Sequence, residues 1–197
     1  MCGEIVIVAL EGPRAVGKTT LLTAIQDTLP QIQVFSGFKL KSSYNLDNET
    51  GFCDNQKEYI ERKINQYNLV DSSKMNLITR GTENVLFYTR TYPIIKGYND
   101  WQVYNKLKEY FIRLNQQRSD LIIYLDANCE VLQDRNKKDT RQRLWFDKEL
   151  RTWNMMMKSW FMRYDNCIFI ETSNLNANEV HDHVFKILNT YINGMYF

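Results

Sequence analysis

A short apolar run at residues 5–10 leads into Gly12-Pro13-Arg14-Ala15-Val16-Gly17-Lys18-Thr19, and an amphipathic stretch, 19–29, follows directly. The two glycines of this pattern let the backbone wrap tightly enough for successive N–H groups to point inward at one anion. A helix that begins where the loop ends aims its positive dipole end at the same place. Gly-x4-Gly-Lys-Thr between a strand and a helix therefore reads as a phosphate cradle, built by Gly12, Pro13, Arg14, Ala15, Val16, Gly17, Lys18, Thr19 and Thr20. In such a cradle the lysine reaches the β- and γ-phosphates of ATP and the threonine hydroxyl binds Mg²⁺.

The rest of the chain repeats the strand-helix alternation. Short runs rich in β-branched residues at 32–35, 75–78, 121–125 and 168–170 read as buried strands. Between them, 55–69 places Tyr59, Ile60, Ile64 and Tyr67 on one helical face, and 101–117 and 148–164 show the same period. A last helix is expected over 179–192 with Asn178 as its N-cap. Alternation of this kind implies right-handed crossovers and a parallel sheet covered on both faces, a three-layer doubly wound α/β fold. Ligands of such sheets bind at the carboxyl ends of the strands. Residues 1–197 are expected to form one domain, since no repeat or linker interrupts them. The polar stretch 36–55 is expected to be a loop beside that ligand end, or an ordinary surface insertion.

With 25 basic and 23 acidic side chains the formal charge is only +2, which argues against bulk nucleic-acid binding. The opening apolar run is too short to span a membrane and follows Glu4, so neither a membrane anchor nor a signal sequence is expected. Cys2, Cys53, Cys129 and Cys167 are dispersed without metal-ligand spacing, which points to reduced thiols and a cytoplasmic compartment.

One tetrapeptide points elsewhere. Asn136-Lys137-Lys138-Asp139 spells the guanine-reading motif of GTPases. It does not directly follow a strand, however, and the chain has no Asp-x-x-Gly switch element. A guanine-binding role is not expected.

Val8-Ala9-Leu10-Glu11-Gly12 running into Gly17-Lys18-Thr19-Thr20 resembles the opening of thymidylate kinases and deoxynucleoside kinases. Residues 120–126 followed by 130–135, and 168–173 with Glu179-Val180, are similar to later stretches of the same enzymes. The resemblance implies a five-stranded parallel sheet in the order 2-3-1-4-5, ATP with Mg²⁺ as phosphoryl donor, and a small nucleotide or nucleoside acceptor. It places adenine near Thr172, Ser173 and Asn174, with Arg135 at the root of a lid over about 135–146. That lid carries Arg135, Lys137, Lys138, Arg141 and Arg143 against Asp139, so five positive charges meet one negative. Arg141 and Arg143 are then candidates to stabilise the transferring phosphoryl group.

At the end of the third strand the family carries an Asp-Arg pair, and this chain reads Thr79-Arg80. Arg80 either touches a phosphate or pairs with Glu83. With the acid missing, metal binding leans on Thr19 with Glu11 or Asp126, and Glu83 is a candidate for the lost carboxylate. Arg14 replaces the family's acid inside the P-loop and either touches γ-phosphate or faces solvent. No acid follows the second strand, where nucleoside kinases keep a general base, so a monophosphate acceptor is favoured over a hydroxyl. Glu83, Asp47 or Glu49 remain open as a base supplied from elsewhere. Arg80, Arg90 and Lys39 would bind the acceptor's phosphate, and Phe87 and Tyr88 would stack on its base. Trp153, Trp160 and Met155–Met157 read as core. The expectation is a nucleoside monophosphate kinase, as a monomer or homodimer. Two alternatives stay open: a kinase of a hydroxyl (a deoxynucleoside, a modified DNA base or an antibiotic), and a nucleotide-binding regulator with little chemistry.

Overall fold

Every residue of the first strand, Val6–Glu11 (β1), is buried, because the strand lies at the centre of a sheet with helices on both sides. A computed structural model describes residues 6–38, 40, 43–139 and 146–194. After β1 come α1 (Lys18–Thr28), β2 (Gln33–Phe35), α2 (Glu49–Tyr67), β3 (Met75–Thr79), α3 (Thr82–Lys96) and α4 (Asp100–Asn115). The chain continues through β4 (Leu121–Asp126), α5 (Cys129–Lys138), α6 (Phe146–Phe161), β5 (Cys167–Glu171) and α7 (Ala177–Gly194). All four strand pairings are parallel, in the order β2-β3-β1-β4-β5. The architecture and strand order are those expected.

Alternation along β1 divides the core. Val6, Val8 and Leu10 pack with Leu21, Leu22 and Ile25 of α1 and with Val180, Val184 and Leu188 of α7. Ile7 and Ala9 point to the opposite face, against Tyr67 of α2 and Phe161 of α6. On that second face α2, α3 and α4 share an apolar cluster containing Phe52, Ile60, Val85, Leu107 and Phe111. The last side chain of β1, Glu11, therefore enters the layer where these helices meet the sheet.

Two boundaries differ from the sequence reading for identifiable reasons. Helix α2 starts at Glu49 rather than 55, because the Asn48 side chain accepts from Gly51 N–H (2.8 Å) and caps it. The polar loop is correspondingly shorter. Helix α7 is capped by Asn176, not Asn178: Asn176 Oδ1 accepts from Asn178 and Glu179 N–H, and Glu179 accepts from Asn176 N–H in return. This is a reciprocal capping box. Residues 136–138 of the GTPase-like tetrapeptide lie in the last turns of α5, with Asp139 as C-cap, so the segment is no base-reading loop.

Candidate active site

The loop between β1 and α1 has the conformation its glycines permit. Gly12 has φ +126°, and a Cβ added to it would fall 2.1 Å from the Leu125 carbonyl oxygen of β4. No other residue fits there. Ala15 (φ +64°) and Gly17 (φ +105°) are also left-handed, and alternation of this kind turns successive N–H groups into a concave anion-binding nest. Helix α1 then begins with no side-chain cap and no acid in its first turn, so its amides face the loop. Lys18 crosses the cradle, its Nζ donating to the carbonyls of Gly12 (2.6 Å) and Pro13 (2.7 Å). Thr19 and Thr20 stand exposed on the first turn of α1. A nucleotide's phosphates fit this arrangement, and the exposed Thr19 hydroxyl is the group that would hold a Mg²⁺ beside them.

Three separated segments meet beside the P-loop. Arg135 of α5 donates to Val16 O (3.5 Å) in the loop, and to Thr172 Oγ1 (3.1 Å), Thr172 O (2.7 Å) and Leu175 O (3.4 Å) after β5. Thr172 is fully buried and its hydroxyl donates onward to Asp126 O (2.8 Å). Ser173 Oγ accepts from Asn128 N–H (2.7 Å), and Asn174 is exposed at the surface of the same turn. Lid residues Arg141 and Arg143, and the acceptor candidate Lys39, lie outside the described residues.

On the other side of the cradle a cavity of about 520 Å³ opens between α2, α3 and α6. Gly12, Pro13, Arg14 and Lys18 form its P-loop end, and Phe38, Asn55, Gln56, Tyr59, Arg80, Asn84, Tyr88, Trp153, Asn154 and Met157 are among its other walls. Three cationic side chains and no carboxylate line it among the described residues. Arg80 projects into it from a left-handed backbone (φ +56°), and its guanidinium donates to the Tyr59 hydroxyl. Tyr88 and Trp153 form a stacked aromatic wall, with ring centroids 5.3 Å apart and planes 16° from parallel.

Several expected site residues are turned elsewhere. Glu83 is buried and accepts from Ser119 N–H (2.9 Å) and Oγ (3.0 Å), fixing the start of α3 to the segment before β4. It neither lines the cavity nor replaces the carboxylate missing at Thr79. Phe87 is buried between Trp153 and Trp160 as core. Arg90 is exposed and lies over the Phe111 ring of α4 (5.6 Å). Asp126 pairs with Lys158 (2.5 Å) and accepts from Ala127 N–H, while Glu11 has no exposed surface. Neither carboxylate is thus presented to a metal beside Thr19. Asp47 and Glu49 pair outward with Lys96 (3.0 Å) and Lys106 (2.9 Å).

Four residues of α6 expected in the core, Trp153, Met155, Met156 and Met157, lie elsewhere. Trp153 and Met157 line the cavity instead of serving only as core, and Met155 and Met156 are exposed. Gln56 of α2, and Tyr59, expected only on the apolar face of that helix, also line the cavity. Their signal was the polar Gln56 and Lys63 interrupting the buried face of Ile60, Ile64 and Tyr67; polar groups at core positions need partners and often mark a site.

Burial pushes Glu11 up to about 8, and nearby Lys18 only partly offsets it. Its carboxyl oxygens accept from Gly81 N–H (2.5 Å) and Asn84 Nδ2 (2.9 Å). A carboxyl whose pKa rises on folding adds stability at low pH that is lost as pH climbs through the folded value. Wild-type stability should therefore fall from about pH 5 to pH 8 by roughly 1 kcal/mol per unit from this group. Glu11→Gln keeps an acceptor for Gly81, and the Asn84 amide can rotate to meet it. Melting temperatures at pH 5, 6.5 and 8 should give a flatter profile for Glu11→Gln and a higher value than wild type at pH 8.

This geometry defines the fold as that of the P-loop nucleotide kinases. The solved structures it resembles include a thymidylate kinase from Candida albicans: 15% identity over 98% of this chain and 95% of that one, TM-score 0.66. A deoxyadenosine kinase from M. mycoides, with products dCMP and a flexible dCDP bound, gives 18% identity, 94% and 99% coverage, and TM-score 0.68. The YorR protein of Bacillus subtilis, in complex with phosphorylated GDP, gives 16%, 95%, 98% and 0.55 in the same order. No family model matches the sequence, and no curated protein matches it.

Proposed function

We propose that the chain is an ATP-dependent phosphotransferase whose acceptor is a nucleoside monophosphate. One observation carries this reading: the cavity beyond the P-loop is lined by Arg14, Lys18 and Arg80 and by no carboxylate among the described residues. A hydroxyl acceptor benefits from a base to take its proton, whereas a phosphate oxygen is already ionised and needs only alignment and positive charge. The acids put forward from the sequence as a base (Glu83, Asp47 and Glu49) are each held by another partner. The names of the structural neighbours, a thymidylate kinase and a deoxyadenosine kinase, agree with a nucleotide or nucleoside acceptor.

In this reading an acceptor phosphate oxygen forms a bond to the γ-phosphorus as the bond to the β,γ-bridging oxygen breaks, giving a diphosphate and ADP. Mg²⁺, held by Thr19 and the phosphates, would neutralise charge on the donor. The P-loop amides and Lys18 hold the β- and γ-phosphates, and Arg80 and Arg14 bracket the transferring group from the acceptor side. Arg135 fixes the P-loop to the turn at 172–175, where adenine would lie. Arg141 and Arg143 would close over the phosphates as the lid excludes water. Tyr88 and Trp153 present ring faces to the acceptor's base.

No helix among the described residues is long and apolar enough to cross a membrane, and Cys53, Cys129 and Cys167 are free thiols, in keeping with a cytoplasmic setting. A panel of deoxynucleoside and ribonucleoside monophosphates with radiolabelled ATP tests the reading; turnover of none of them would overturn it. Trp153→Ala should raise the acceptor KM by about 10–100-fold, the value of one stacked base, and leave the KM for ATP unchanged.

A further inference from the structure

Lys63, on α2, has no exposed surface, and the carboxylates that act on its charge, Glu11 and Glu83, do so without a direct ion pair among the described residues. A buried charge with no directly paired counterion is costly, so a plain packing role is better filled by an apolar residue of the same shape. What Lys63 does touch is informative. Its Nζ donates to Gln66 Oε1 (2.7 Å) and to the carbonyl of Thr79 (3.4 Å), and it lies 5.3 Å from the centre of the Phe38 ring. Thr79 O belongs to the peptide that enters Arg80.

Arg80 is held in the left-handed region at φ +56°, which a residue with a Cβ seldom adopts unless its surroundings enforce it. The enforcing contacts are consecutive. Lys63 takes the Thr79 carbonyl, Leu10 O accepts from Arg80 N–H (3.2 Å), and Glu11 accepts from Gly81 N–H (2.5 Å). One turn before Lys63 on the same helix face, Tyr59 receives the Arg80 guanidinium and packs on Phe38 (4.8 Å between centroids). Residues 59 and 63 thus grip Arg80 at both ends, side chain and backbone.

We propose that Lys63 is a positioning residue that holds Arg80 in its left-handed conformation, so that the guanidinium stays in the acceptor cavity. The inference rests on reading that cavity as the site of phosphoryl transfer. Burial pushes the Lys63 ammonium down to about 8, with Glu11 opposing that shift.

Lys63→Met is close in shape and removes only the charge and its hydrogen bonds. The variant should melt at or above the wild-type temperature and bind ATP within about 2-fold of wild type. Its kcat for a monophosphate acceptor should fall about 10–100-fold, the scale of a misplaced transition-state contact. In an Arg80→Ala background the same change should alter kcat by less than about 2-fold, because Lys63 would then have nothing to position. Wild-type kcat in Lys63→Met, losses that multiply in the double variant, or a clearly less stable protein would each overturn the proposal. A crystal structure of Lys63→Met decides the matter without activity. Arg80 should leave its positive φ or withdraw from Tyr59, and an unchanged Arg80 would overturn the inference even if no monophosphate proved to be a substrate. Failure of wild type to turn over any monophosphate counts against the acceptor reading alone.

Discussion

Lys18→Met is expected to lower phosphoryl transfer by about 10³-fold or more while leaving a folded protein. Lys18 crosses the P-loop, with its Nζ 2.6 Å and 2.7 Å from the carbonyls of Gly12 and Pro13. Its charge lies where β- and γ-phosphate oxygens would sit, and loss of one preorganised donor to a developing anion removes about 10²–10³ of rate even when it is uncharged. The loop itself does not depend on this side chain. Its shape is fixed by the left-handed Gly12, Ala15 and Gly17 and by burial of Val16 in the core beneath it. Single-turnover transfer from ATP, read beside the melting temperature, checks the prediction. Transfer within 10-fold of wild type would mean that the cradle does not hold the donor.

Arg80→Gly should have the second-largest effect and a distinctive form. Transfer is expected to drop about 10²–10³-fold through loss of a charged donor in the cavity. Stability should hold or rise, because glycine occupies the left-handed conformation at φ +56° without the cost, on the order of 1 kcal/mol, that a Cβ incurs there. The lost hydrogen bond from the guanidinium to Tyr59 works against this gain but faces an open cavity where water can replace it. A melting temperature that falls together with activity would instead make Arg80 a structural residue.

What the amino-acid sequence made legible was local or topological. The P-loop could be read because its chemistry, its glycines and its flanking elements are contiguous, and the strand order followed the resemblance it opened. Helix α2 began earlier than expected because a single cap, Asn48 to Gly51, outweighs a polar composition. Which acids face the site was not legible at all. Glu83 and Glu11 are equally plausible in sequence, but the turn at Arg80 and Gly81 directs one to Ser119 and surrounds the other with Gly81 and Asn84. The same holds for α6, whose amphipathic pattern gives no hint that its Trp153 leaves the core to wall a cavity with Tyr88. Arg90 shows the converse, a cation at a suitable spacing that points at Phe111 instead.

The absence of a carboxylate among the described residues that line the cavity is the feature on which the account turns, and a matched pair of acceptors tests it directly. With saturating ATP and Mg²⁺, each deoxynucleoside and its 5′-monophosphate should be compared for product by phosphorus NMR. The account predicts diphosphates from one or more monophosphates at rates at least about 100-fold above any transfer to the nucleosides, the lower range of what a general base supplies. Equal or faster phosphorylation of a nucleoside hydroxyl would contradict it.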